Sequence, residues 1–216
     1  MATIPRSKRF RKTDDLEDKA MKMRMVADSS ANLLEMKDVE FASVPVHITV
    51  GEQDHADTAE MYLLAEKMRE LILAGMEPEK IYEEIRAYHQ TTHLYFSLAS
   101  VDNFAKNGRV SHVIAKGIGL MGIWIVGTAS PEGTLDFKGK CRGDKKVMAL
   151  ILEKMKELGY NGGRVIIAHK QNEAAALQLK MRIEELFGTF NDVIHPERAL
   201  CCYYAEPGSV MIGFEA

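Results

Sequence analysis

Along the chain, segments in which apolar residues recur with the period of a helix alternate with segments in which they recur with the period of a strand. A capping pair at Asp57 and Glu60 begins a helix with one apolar stripe, which Gly75 ends. Further helices are predicted from Pro78 to Tyr88, over 101–106, from near Ser111, and over 144–158 and 173–187. Strands are predicted over 39–50, 94–98, 123–128, 134–141, 164–168, 190–194 and 209–214. This alternation, with one hairpin turn at 131–133, predicts an α/β fold with a mixed sheet flanked by helices.

The composition is that of an ordinary globular chain. Of 216 residues, 46% are hydrophobic and 27% are charged, and the net charge is −3. This argues against intrinsic disorder and gives no general attraction to nucleic acid or anionic membranes. The longest nearly uncharged apolar run, 118–129, is shorter than the roughly 20 residues of a spanning helix, so no transmembrane segment is expected. The start lacks an apolar leader, and three cysteines fit neither a disulfide framework nor a zinc pattern, so we expect a cytoplasmic protein.

Charge is distributed unevenly along the chain. Residues 1–24 carry a net charge of +4, so the rest of the chain carries −7. A basic cluster such as 6–12 can bind phosphate groups, but isolated charge runs are more often solvated. We therefore interpret residues 1–23 as a basic, disordered tail and expect no nucleic-acid partner.

Two motifs match the residue pattern of a nucleotide or metal site but lack the neighbouring elements or ligands that such a site needs. GIGLMG at 117–122 matches G-x-G-x-x-G, but a dinucleotide site needs a strand before it and a helix after it, and here the order is reversed. His89 and His93 have the spacing of a zinc pair on a helix, but no third ligand joins them. No metal, nucleotide or other cofactor is therefore expected.

Polar residues at strand ends are the candidates for a ligand site, because ligands of open α/β sheets bind outside the carboxyl ends of strands. Asp28, Ser29 and Ser30 follow one apolar segment, and His169 follows another. Ser29 and His169 could act as nucleophile and base in a small serine hydrolase, although no G-x-S-x-G surrounds the serine. Serine and aspartate are also ordinary turn and helix-capping residues, so both interpretations stay open.

Arg109 and Arg142 lie where helices are predicted to begin. Cations are electrostatically unfavourable at helix N-termini, whereas free N–H groups and an arginine fork together suit an anion. These arginines therefore face an anionic ligand or an acidic partner surface, or else they are solvated surface cations.

Several segments in order resemble the DegV family of bacterial fatty-acid-binding proteins. The match begins at VADSSANL (26–33), which resembles the family's opening V-x-D-S-x-A-D-L. It continues through VPVHITVG (44–51), NGRVS (107–111), RGDKK (142–146) and the closing PGSVMIGF (207–214). The resemblance covers residues 24–216 and is specific because the motifs occur in the family's order.

The resemblance implies two α/β domains with a long-chain fatty acid between them, and a binding protein rather than an enzyme. Some family members present the acyl carboxylate to the separate ATP-binding subunit of fatty acid kinase, which implies a kinase partner. The family arginines implicated in that docking match Arg109 and Arg142. The candidate ligand-binding residues are Asp28, Ser29, Ser30, His169 and Tyr204.

The chain departs from the family pattern in its first domain. The T-S-x-P-S and S-G-T-Y-x-S-A segments, which hold the carboxylate in the family, are absent, and Tyr204 stands where the family has a histidine. We therefore divide the chain into a first-domain remnant (24–57) and a second α/β domain (58–216). A first domain that lacks these segments would enclose less of the acyl chain between the two domains. We therefore expect weaker acyl binding and an exposed apolar surface that favours homo-oligomers. An interaction module that no longer binds lipid is an alternative, and the serine hydrolase is another.

Overall fold

The structure is a computed structural model that describes residues 24–28, 33, 35–44, 58–110, 115–118, 122–130, 135–188 and 193–216. Two short strands, β1 (Arg24–Asp28) and β2 (Glu40–Val44), form a parallel pair of their own. The strands of the larger sheet are β3 (Thr92–Leu98), β4 (Trp124–Ala129), β5 (Leu135–Cys141), β6 (Val165–His169), β7 (Ile194–Pro196) and β8 (Val210–Glu215).

The larger sheet runs in the order β5-β4-β3-β8-β6-β7. Only β6 and β7 pair in parallel, while the other neighbours pair antiparallel. All five residues of β6 are buried, as expected for a strand covered on both faces. The predicted mixed sheet is therefore confirmed.

Helices cover both faces of this sheet. They are α1 (Thr58–Leu73), α2 (Pro78–His89), α3 (Asp102–Lys106), α4 (Asp144–Glu157), α5 (Glu173–Phe187) and α6 (Ala199–Ala205). On one face α4 and α5 pack Ile151 and Leu179 against Ile167 and Ile212. On the other face α1, α3, α6 and the helical residues 115–118 pack against the opposite side chains of the same strands. No helix in the described ranges is long and apolar enough to cross a membrane.

The β1–β2 pair packs on the outer side of α1. Met25, Leu33 and Met36 are buried there together with Ala65 of the helix. Arg69 of α1 adds polar contacts, because its guanidinium donates to the Lys37 carbonyl and pairs with Asp38. Helix α1 thus separates this small sheet from the larger one.

Most element boundaries agree with the sequence prediction to within one or two residues, and α5 agrees at both ends. The predicted strand over 39–50 is observed over Glu40–Val44, and residues 45–50 lie outside the described residues. Of the strand expected at 190–194, residues 190–192 lie outside the described residues, and the observed strand β7 spans Ile194–Pro196, with Ile194 paired to Ile167 of β6. The tail (1–23), the hairpin turn (131–133), Ser111 and the middle of the 117–122 motif also lie outside the described residues.

Candidate functional site

The sheet topology brings several strand ends to one edge, which we call the site edge. Strands β3, β5, β6 and β7 end there, and β4 and β8 begin there. The register fixes this arrangement through the pairs Trp124–Cys141, Leu98–Ile125, Ser97–Val210, His169–Val210 and His169–Pro196. Loops and helix ends that follow these strands therefore converge.

Four of the predicted site residues belong to this edge. His169 is the last residue of β6, and Arg142 directly follows β5. Arg109 lies beyond α3, which follows β3, and Tyr204 lies in α6, which follows β7. The topology therefore brings residues that are up to 95 positions apart in sequence to one side of the sheet.

Arg109 and Tyr204 are in direct contact. The guanidinium carbon of Arg109 lies 4.8 Å from the centre of the Tyr204 ring, and Phe104 packs on the same ring at 4.7 Å between centroids. A cation–π contact at an exposed site contributes about 0.5–1 kcal/mol. The contact holds the exposed guanidinium over a half-buried aromatic ring and leaves its N–H edge available to an anion.

A polar network joins α3 to α6 beside this contact. The Asn103 side-chain amide donates to the Tyr203 carbonyl at 2.7 Å, and that of Asn107 donates to the Tyr203 hydroxyl at 3.2 Å. The Asn103 backbone N–H donates to the Glu206 carboxylate at 2.7 Å. Glu206 has a φ of 59°, a left-handed conformation that costs a non-glycine residue free energy. The network stabilises this turn and fixes the end of α6.

His169 is buried, with 9% of its surface exposed. Its Nδ1 accepts the Asn172 N–H at 3.4 Å. Burial lowers the pKa of His169, and the nearby charge of Glu173 only partly opposes this. The imidazole is therefore favoured in its neutral form near neutral pH, in which it can exchange a hydrogen bond with a ligand but carries no charge.

Glu197 is a buried carboxyl group at the same edge, which the sequence analysis missed. It is 5% exposed, its backbone N–H donates to the His169 carbonyl at 2.8 Å, and the Ser209 hydroxyl donates to its carboxylate at 3.2 Å. Burial raises the pKa of Glu197 to about 8, against the opposing effects of the Ser209 hydrogen bond and the Lys170 charge. Polar residues that directly follow a strand are the sequence candidates for the site. Glu197 was not among them because the strand before it was predicted to end at residue 194.

His195 lies two residues before Glu197 in the sequence, in β7. Its ring stacks on Tyr62 of α1, with centroids 5.4 Å apart. Burial lowers the pKa of His195, an effect that a hydrogen bond with the Pro196 carbonyl opposes. The edge therefore holds two histidines whose charged forms are disfavoured by burial.

The remaining sequence candidates fall elsewhere. Asp28 ends β1 and so belongs to the two-stranded sheet, while Ser29 and Ser30 lie outside the described residues. The hypothesis of a Ser29–His169 hydrolase therefore stays a prediction. His89 ends α2 and contacts Glu60, whereas His93 lies in β3 against Phe214, so the two histidines occupy different elements.

Comparison with known proteins identifies the family. The sequence model described as "Uncharacterised protein, DegV family" matches residues 58–216. The chain belongs to the DegV family. The resemblance inferred from the sequence motifs is thereby confirmed.

Curated DegV relatives are longer than this chain. A DegV domain-containing protein of Streptococcus pneumoniae is 40% identical over 174 residues, which cover 76% of this chain and 62% of the relative. One from Streptococcus pyogenes is 42% identical over 158 residues, covering 72% and 56%. The chain thus spans about three fifths of the length of the curated relatives that it matches.

Solved DegV structures share the fold. A DegV family protein from Eubacterium eligens loaded with heptadecanoic acid has a TM-score of 0.80 and 27% identity, and the match covers 89% of this chain and 99% of that one. The Fatty Acid Kinase (Fak) B3 protein of Streptococcus pneumoniae loaded with linoleic acid has a TM-score of 0.69 and 37% identity, covering 82% and 60%. The α/β fold of the DegV family is therefore confirmed for this chain.

Proposed function

We propose that this DegV chain is a non-enzymatic protein that binds a long-chain fatty acid. The observation that carries the proposal is the Eubacterium eligens structure, which holds heptadecanoic acid in a chain that this one covers almost completely. The similar length of this chain and the Eubacterium eligens chain is important, because the longer relatives have additional residues that can enclose a ligand. We therefore propose that this chain, which matches that structure over nearly its whole length, binds a ligand of the same class.

The site edge offers groups that suit a carboxylate. The Tyr204 hydroxyl and the neutral His169 ring can donate hydrogen bonds, and Tyr204 is held in place by Arg109 and Phe104. Asp28, Ser29 and Ser30 complete the proposed ligand-binding set by resemblance to the family's opening motif.

The acyl chain needs an apolar surface, since burial contributes about 0.8 kcal/mol per CH₂. A cavity at the site edge between the sheet, α4 and α5 has a volume of only about 10 Å³, which is room for about one water molecule. That cavity does not hold an acyl chain. We propose that the acyl chain lies outside this cavity, on a surface that the first-domain remnant covers only in part, and we expect weaker binding than in the longer relatives.

We further propose that Arg109 and Arg142 dock a kinase subunit. Both arginines are exposed, and both lie at the site edge, where a bound carboxylate would be presented. One of the structural neighbours is a Fatty Acid Kinase B3 protein, which supports a partner of this type. The same proposal has two further parts. The chain divides into a first-domain remnant and a second domain, and exposed apolar surface allows it to form homo-oligomers.

Native mass spectrometry of protein purified from a bacterial host tests fatty-acid binding. We expect an acyl adduct in the wild type, and Tyr204→Phe should lower the affinity of the delipidated protein about tenfold or more, because a hydrogen bond to a charged group contributes about 1.5–3 kcal/mol. Tyr203→Phe is the matched control, since the Tyr203 hydroxyl contacts Asn107 instead. An adduct-free wild type that also fails to take up added C16–C18 acids would contradict the proposal and favour an interaction module.

Binding to the ATP-binding subunit of fatty acid kinase tests the docking residues. Arg109→Glu and Arg142→Glu should each weaken the complex, while fatty-acid uptake of Arg142→Glu stays normal. Arg182→Glu is the control, because it makes the same charge change on an exposed position of α5. Equal affinities for all three variants would show that the site edge does not dock the kinase.

A further inference from the structure

Lys170 and Cys202 form an unusually close contact between two elements of the site edge. The Lys170 Nζ atom lies 2.6 Å from the Cys202 Sγ atom, although the residues are 32 positions apart. This is shorter than the roughly 2.7–3.2 Å of an N–H···O hydrogen bond, and sulfur is the larger acceptor. The two atoms are therefore well within the roughly 3–3.5 Å that separates reacting atoms in a near-attack arrangement.

The backbones that carry both side chains are fixed. The Lys170 N–H donates to the Ser209 carbonyl at 3.1 Å, and its carbonyl accepts the Gly208 N–H at 2.8 Å. The Cys202 N–H donates to the Arg198 carbonyl at 3.2 Å in the first turn of α6. The contact is thus built into the fold, and fixed proximity of this kind greatly raises the rate of a reaction between two groups.

Exposure distinguishes Cys202 from its neighbour Cys201, and the contact with Lys170 distinguishes it from Cys141. Cys202 is half-buried, so a small oxidant can reach it, whereas its neighbour Cys201 is buried with 4% exposed. Burial raises the pKa of the Cys141 thiol, which lowers the thiolate fraction available for oxidation. A diffusing peroxide therefore has its best-placed target at Cys202, beside the Lys170 amine.

We propose that Lys170 and Cys202 are a modification site at which hydrogen peroxide forms a reversible covalent sulfur–nitrogen crosslink. In the first step the thiolate sulfur attacks peroxide, an S–O bond forms, the O–O bond breaks, and hydroxide leaves as water with the thiol proton. Sulfur is oxidised by two electrons to a sulfenic acid, and peroxide is reduced. In the second step the Lys170 ammonium gives one proton to solvent, the resulting amine attacks that sulfur, the S–N bond forms, the S–O bond breaks, and water leaves with a second proton from nitrogen. The sum is one thiol, one amine and one peroxide giving one sulfenamide and two waters.

The crosslink changes the site edge in two ways. It ties α6, which carries Tyr203 and Tyr204, covalently to the end of β6. It also removes the positive charge of Lys170, which acts on the buried Glu197. Excess thiol reverses both changes, because two thiols reduce the S–N bond to the original thiol and amine and become a disulfide. This inference does not depend on the proposed fatty-acid function.

Peptide mapping after peroxide treatment of the full chain tests the proposal. Trypsin cannot cleave after a modified Lys170, so we expect peptide 165–180 linked to peptide 199–216, two hydrogens lighter than their sum. Treatment with excess thiol should remove this species. Lys170→Arg keeps the positive charge but not the nucleophile, and Cys202→Ser removes the sulfur, so both should abolish it. Cys201→Ser is the matched control and should retain it, with circular dichroism checking that every variant is folded.

Three outcomes would overturn the proposal. One is a linked peptide that persists in Lys170→Arg or Cys202→Ser. The second is a wild type that yields only a Cys201–Cys202 disulfide, which leaves Lys170 cleavable by trypsin. The third is a wild type in which Cys202 is oxidised to the sulfinic acid and no linked peptide forms. The second and third outcomes are measured on the wild type and so do not depend on the folding of any variant.

Discussion

Glu197 couples the protonation of one buried side chain to the stability of the whole fold. Its pKa is raised from the ordinary 4.5 to about 8 by burial, so between these pH values the unfolded chain releases a proton that the folded chain keeps. Folding stability should therefore fall as pH rises from about 4.5 to about 8, with a slope of at most about 1.4 kcal/mol per pH unit from this group. Urea denaturation of wild type and Glu197→Gln at pH 5 to 9 measures the effect.

The glutamine variant keeps the shape and the acceptor for the Ser209 hydroxyl but cannot ionise. The free energy of unfolding of Glu197→Gln minus that of the wild type should therefore grow from pH 5 to 8 and then level. His169 and His195, whose pKa values burial lowers, titrate in both proteins and cancel in this difference. Parallel profiles across the whole range would show that Glu197 is already ionised in the folded state.

At the scale of single residues, the sequence named four candidates that the fold brings to one edge of the sheet, and their roles stay a prediction. Arg109, Arg142, His169 and Tyr204 could be predicted from motifs and strand ends, and the topology places them at one edge. The burial of Glu197 against Ser209 and the Lys170–Cys202 contact could not, because both arise when segments separated in the sequence pack together. A pattern along the chain carries no information on such a pairing unless the residues belong to a motif.

Between elements, a close approach of two backbones occurs where α1 crosses β8 at Gly213. A Cβ atom at Gly213 would lie 2.6 Å from the Ala59 carbonyl carbon and 2.7 Å from the Glu60 backbone nitrogen. Because backbone cannot move aside as a flexible side chain does, Gly213→Ala should lower the free energy of unfolding by about 1–3 kcal/mol. Thermal or urea denaturation checks this value.

Gly117→Ala is the control for that substitution. Gly117 lies in the helical residues 115–118, and a Cβ there meets no atom of the described residues within 4 Å. Alanine is the better helix former, so this variant should be neutral or up to about 1 kcal/mol more stable. If both variants lost stability equally, the effect would come from glycine replacement in general and not from the crossing of α1 and β8.

Elements with a clear period and clear ends were predictable, and the short helix α6 was not. Helix α5 has an apolar stripe and ends at Gly188, which adopts a left-handed φ of 77°. Helix α6 was not predicted, because its seven residues are too few to show a period and its first residue follows Arg198, which is no capping residue. Its helical form depends on contacts with α3 through Asn103 and Phe104, which are fixed only in the folded chain.

At the scale of the whole molecule, α1 is the element shared by the two sheets. Leu63 is fully buried on the side that faces the larger sheet, while Ala65, two residues on, is buried under Met25 and Met36 of the small sheet. Two residues along a helix are about 200° apart, so one helix serves both surfaces. The polar bonds of Arg69 add to the attachment of the small sheet.

This arrangement predicts that the two surfaces of α1 can be disrupted separately. Ala65→Glu places a carboxylate in the contact with Met25 and Met36 and should release residues 24–44, seen as faster hydrogen exchange there with little change over the larger sheet. Leu63→Ala removes buried volume against the larger sheet and should lower the global free energy of unfolding by about 2–5 kcal/mol. Exchange mass spectrometry and urea denaturation of both variants separate local from global effects. A cooperative loss of both sheets in Ala65→Glu would show instead that the first-domain remnant is part of one folding unit with the second domain.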